Sequence, residues 1–190
     1  MHGISEEYEK LFYEIRYLIL NAYRDSLILK YVRDVQNDNR KFVFPFETKE
    51  LIIHFIDTIK YDYILTIWKI NIDSDESACT INNLYKLLVE YGLQDEIRRE
   101  SRPKEYKKLI NCINCFRNKL ISHLDQDREL DKISFFEVDE LLDYYRNYFN
   151  KFTLQNSLLL EISNKDVLKI QKDINEGFKI LLDNIIKTEG

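Results

Sequence analysis

Glycine and proline are scarce in this chain, with four Gly and two Pro among 190 residues. Turn-rich architectures draw on both, so the composition argues against an all-β fold, and there is no Gly-rich stretch to cradle a phosphate. The three cysteines are an odd number and form no disulfide framework, which fits a reducing compartment. No stretch approaches the ~18 consecutive apolar residues that a membrane span requires. The opening residues, MHGISEEYEK, are acidic and lack the apolar centre of a signal peptide, so a cytoplasmic location is expected. Zincin, P-loop, nucleophile-elbow and dinucleotide fingerprints are all missing. What is abundant is apolar residues at helical spacing. A chain of this length buries roughly 70% of its unfolded surface without metals or cross-links. The expectation is a single all-α domain over residues 1–190, with no metal or cofactor.

The net charge of −5 argues against a uniformly basic nucleic-acid binder, but the charge is unevenly placed. Between Ile97 and His123 stand eight cations (Arg98, Arg99, Arg102, Lys104, Lys107, Lys108, Arg117 and Lys119) against Glu100 and Glu105. From Leu124 to Asp143 the balance reverses, with eight carboxylates against Arg128 and Lys132. This is either a basic interaction surface or a solvated helix face neutralised by the acidic stretch beyond it.

Along the chain, a first helix is expected from after Ser5 to about Asp34, with Leu11, Phe12, Ile15 and Ile19 on its buried face. A second starts at Thr48 and presents Ile52, Phe55, Ile59, Tyr63, Ile67 and Ile70; His54 on it reads as structural. Thr80 caps a third, which Gly92 ends. Ser134 and Glu137 make a capping box for a helix carrying Val138, Leu141, Tyr145 and Phe149. Residues 151–162 fit a continued helix or a short strand. A last helix opens near Ser163, with Asp166 in the capping-box position and an apolar stripe from Val167 to Ile185.

Between these lies SRPKEYKKLINCINCFRNKLISHLDQD, residues 101–127. It reads as a helix capped by Ser101, with Pro103 in its first turn and Leu109, Ile110, Ile113, Phe116 and Leu120 on one apolar face. Cys112 and Cys115 form a C-x-x-C, but neither a βαβ setting nor further ligands accompany it, and helix packing is the better reading. The Tyr144, Tyr145 and Tyr148 group reads as core or interface rather than as a stacking platform for bases.

In its last turns this helix carries Arg117, Asn118 and His123. The stretch RNKLISH resembles the signature of the HEPN superfamily, in which an Arg, often followed by a polar residue such as Asn, precedes a His near a helix end. Two long helices before the motif helix and others after it also look similar to abortive-infection-type HEPN proteins. The resemblance implies a helical bundle with long antiparallel helices, dimeric, and a metal-independent endoribonuclease in a toxin or antiphage-defence setting. It also implies RNA as substrate and an antitoxin or defence protein as partner. In that reading Arg117, Asn118 and His123 are catalytic, while Lys104, Lys108 and Lys119 bind substrate. Some relatives carry a modifiable Tyr two residues after the His; Asp125 stands there, which argues against that form of control.

The chemistry suits RNA cleavage by the adjacent 2′-hydroxyl, which needs a proton acceptor and donor and positive charge beside the crowded phosphate. His exchanges protons near neutral pH, Arg grips two phosphate oxygens at once, and Asn orients either. The spacing poses a problem for a single helix. Six residues at ~100° leave Arg117 and His123 about 120° apart and ~9 Å along the axis. They converge only if the helix loosens before His123 or if a second copy completes the site. Three other readings stay open: a HEPN protein that binds RNA or a partner without cutting, a structural helical adaptor, and an Arg117 that pairs with a nearby Asp while His123 caps the helix end.

Overall fold

The computed structural model describes residues 6–37, 46–73, 78, 80–90, 103–122, 130, 132–155 and 160–187. Among them there are six α-helices, one short 3-10 turn and no strand, so the all-α expectation is met. The helices are α1 (Glu6–Asn37), α2 (Phe46–Asn71), α3 (Ile81–Glu90), α4 (Lys107–Ser122), α5 (Phe135–Gln155) and α6 (Asn164–Lys187). The 3-10 turn, Lys104–Tyr106, leads directly into α4. Helix α2 opens two residues before Thr48, and α1 runs three beyond Asp34. Helix ends shift this easily because terminal N–H and C=O groups lack intrahelical partners.

Two compact units are formed, one from residues 1–22 and 64–162, the other from 23–63 and 163–190. Helices α1 and α2 each contribute residues to both. In the first unit, Phe12, Ile15 and Ile19 of α1 are fully buried, as are Ile64, Ile67 and Ile70 of α2. Ile113 and Phe116 of α4 join them, with Tyr145, Phe149 and Phe152 of α5. The Phe12 and Phe149 rings meet at 5.8 Å. The side chains at these positions recur every three or four residues, so each helix turns one stripe inward.

Local signals set the helix starts. The Thr80 hydroxyl accepts the Asn83 N–H at 3.1 Å and caps α3. Ser134 Oγ accepts the Glu137 N–H at 3.4 Å and caps α5. At α6 the exchange is reciprocal: Asp166 Oδ2 accepts the Ser163 N–H at 2.8 Å, and Ser163 Oγ accepts the Asp166 N–H at 3.3 Å. The Gly92 and Ser101 expectations lie outside the described residues.

The uncertain 151–162 segment resolves in part. Helix α5 continues to Gln155, and residues 160–163 are neither helix nor strand. Asn150 pins them. Its Nδ2 donates to the Ile162 carbonyl at 3.0 Å, and its Oδ1 accepts the Ile162 N–H at 2.8 Å. Arg16 Nε also donates to the Leu160 carbonyl at 3.2 Å.

The second unit is more thinly covered. Tyr23, Ile59 and Tyr63 are buried, and Tyr31 stacks on Phe178 at 4.7 Å. Helix α6 keeps the amphipathic stripe read from its sequence, but Val167, Ile170, Ile174 and Phe178 are half-buried rather than enclosed. Phe55, expected on a buried face of α2, is 49% exposed. Periodicity names the face that is apolar. How much partner surface covers it is a tertiary matter.

Candidate functional site

Pro103 occupies the cap position of the 3-10 turn rather than the first helical turn. Its backbone is extended (φ −61°, ψ 137°), and its carbonyl accepts the Tyr106 N–H at 3.2 Å. A residue without an N–H loses nothing there. Helix α4 then runs unbroken to Ser122, burying Leu109, Ile110, Ile113 and Phe116. His123 is the next residue in the chain and lies outside the described residues.

Opposite the buried stripe is a polar face. Lys107, Asn111, Asn114 and Asn118 are all exposed and follow one another at four- and three-residue steps, which places them in one row along the helix. Lys104 and Lys108 are exposed as well, and no ion pair engages Lys104, Lys107 or Lys108 among the described residues. Lys119 is half-buried. The expected substrate-binding lysines do not converge on Arg117, however. Lys108 lies about 180° around the helix from Arg117, and Lys119 about 160°. They border the polar row instead.

Arg117 sits at the seam between the buried and polar faces. Its guanidinium carbon is 4.5 Å from the centre of the Trp68 ring, which comes from α2. Its Nη1 donates to Asn118 Oδ1 at 3.1 Å. The Trp68 indole N–H in turn donates to Asn114 Oδ1 at 2.9 Å. Two helices therefore build one cluster of a cation, an indole and two amides. A stacking contact of this kind is worth ~0.5–1 kcal/mol at an exposed site, enough to favour one guanidinium orientation. Among the described residues no carboxylate pairs with Arg117, so the expected alternative of an Arg–Asp pair has no counterpart there.

Acidic residues lie instead near the start of the basic helix. Burial raises the Tyr106 hydroxyl pKa first, and the charges of Glu140, Glu105, Asp143 and Glu137 raise it further. The Tyr106 and Tyr144 rings are 6.3 Å apart, and Tyr144 stacks on Tyr148. Tyr145 and Tyr148 are buried, so this group belongs mainly to the core.

Cys112 is half-buried and Cys115 exposed, both as free thiols. No three metal-ligating side chains gather among the described residues. No described helix is long and apolar enough to cross a membrane.

Sequence reasoning missed Trp68 and Asn114. The only available signal was that the chain has a single Trp, near the end of a long helix. No family model, curated protein or solved structure matches this chain.

Proposed function

We propose that this chain is a HEPN-like endoribonuclease that cuts RNA without a metal ion, acts as a homodimer, and serves as a toxin in antiphage defence. Arg117 holds the scissile phosphate, Asn118 orients it, and His123 transfers the proton. The observation that carries the reading is the state of Arg117. It stands on an unbroken helix, six residues before His123 in the chain, fixed by an indole and an amide, with no carboxylate paired to it among the described residues. The exposed Lys107–Asn118 row offers cationic and amide donors to a phosphate backbone. The defence role and any antitoxin partner follow from the motif resemblance.

The test is incubation of the purified protein with total RNA in EDTA. Cleavage leaving 2′,3′-cyclic phosphate ends is expected, and His123→Ala should lower it by roughly 10²–10⁴-fold while the fold persists. A strict metal requirement, or full activity in folded His123→Ala, would refute the mechanism. The polar row also favours a second reading, a HEPN protein that binds RNA without cutting it. That reading predicts RNA retention with no cleavage in the same assay.

A further inference from the structure

We infer that Trp68 is a positioning residue for Arg117, locking the guanidinium over its ring so that the phosphate-gripping group is set before substrate arrives. The inference rests on the ribonuclease reading and adds a residue from a different helix to it.

Two contacts fix the indole and the cation together. The ring takes the Arg117 guanidinium at 4.5 Å, and the indole N–H is anchored by Asn114 Oδ1 at 2.9 Å. Asn114 lies one turn before Asn118, which accepts from Arg117 Nη1 at 3.1 Å. The four side chains thus form a chain of contacts: Asn114 accepts from the indole, the guanidinium lies over the indole ring, and Asn118 accepts from its Nη1. A free arginine side chain has many rotamers, and ordering it on the substrate would slow the reaction. A guanidinium held over an aromatic face has fewer directions open to its N–H edge than a free one. That is the edge a phosphate engages in a bidentate grip. Lysine has no such plane, so the same pocket would not orient it.

The experiment is a double-mutant cycle on RNA cleavage, with Trp emission as an independent readout. The chain has one Trp, so its emission reports Trp68 alone. Arg117→Ala should shift that emission, and an unchanged spectrum overturns the contact in solution whatever the enzyme does. Trp68→Leu should lower kcat by about 10- to 100-fold with little change in KM, since grip geometry rather than charge is lost. Trp68→Phe keeps a ring face and should recover part of that loss. In the Arg117→Ala background, Trp68→Leu should cost nothing more. A further loss there marks a merely structural role and overturns the inference. Should Trp68→Leu fail to fold, Asn114→Ala takes its place in the same cycle with the same expectation at smaller size. If Arg117→Ala abolishes cleavage but folded Trp68→Leu cleaves at the wild-type rate, only the positioning role falls. If Arg117→Ala cleaves as well as wild type, the ribonuclease assignment falls and this inference with it.

Discussion

Asp25 is the buried carboxylate among the described residues, 6% exposed, with the Arg24 guanidinium 3.4 Å away. Burial raises its pKa, Arg24 opposes that, and the charge of Asp62 adds to the rise. The sign of the consequence is fixed by linkage. A carboxyl with a raised folded-state pKa binds its proton more tightly when folded, so its contribution is complete below the unfolded value and is lost as pH climbs through the folded one. At neutral pH the group therefore costs stability. Asp25→Asn should raise the melting temperature at pH 7, by about 2–4 °C for each kcal/mol recovered in a chain of this size. The advantage should shrink as pH falls through the raised folded-state value and be gone below the ordinary aspartate value of ~3.9. Melting curves of both proteins across that range test this; a gap that does not change with pH removes burial of charge as the cause. Arg117 poses the complementary case, a cation left half-buried at a seam without a described counter-ion, held by a π face and an amide. Arg117→Lys keeps the charge and loses both the plane and the fork, so cleavage should fall while RNA retention changes less.

At the scale of the element, three helix starts, those of α3, α5 and α6, were legible because each is a local device. Thr80, Ser134 and the Ser163–Asp166 pair cap the helices that their spacing implied. The Asn150 bracket on Ile162 spans 12 residues, and the Trp68–Asn114 bond spans 46. Neither leaves a periodic trace, which is why residues 151–162 read ambiguously and why Trp68 was passed over. Asn150→Ala should strip the Ile162 N–H and C=O of their partners and destabilise the fold by about 1–3 kcal/mol. Chemical denaturation measures this; a midpoint equal to wild type would mean that water replaces the amide at no cost. The cysteines divide along the same lines. Cys112 is half-buried on α4, so Cys112→Ala should cost stability, whereas exposed Cys115→Ala should be close to neutral. The packing reading thus applies to the first thiol, while the second faces solvent. Stoichiometric zinc in the purified protein, lost on either substitution, would overturn both statements.

The whole molecule must reconcile a helix with its chemistry. Because α4 stays helical from Lys107 to Ser122, the chain does not loosen between Arg117 and Ser122. Of the two routes by which Arg117 and His123 could converge, a loosened helix is thereby excluded between Arg117 and Ser122, and the other requires a second copy. Two antiparallel α4 helices would set Arg117 of one chain toward the helix end of the other. Their exposed faces are polar and carry Lys104, Lys107 and Lys108, so two such copies would repel across a shared axis. On the proposed reading, an RNA backbone between them would neutralise that repulsion, and dimerisation and RNA binding would then strengthen each other by linkage. Activity per chain should fall on dilution through the dimer dissociation constant, and RNA should shift the sedimentation equilibrium toward dimer. RNA affinity should drop with salt at a slope of roughly −0.7 per phosphate neutralised on a single strand. Asn111→Arg adds like charge near the middle of the exposed row and should give a folded monomer in analytical ultracentrifugation. If that monomer cleaves RNA at the wild-type rate per chain, at concentrations where no dimer sediments, then a single helix suffices and the composite site is wrong.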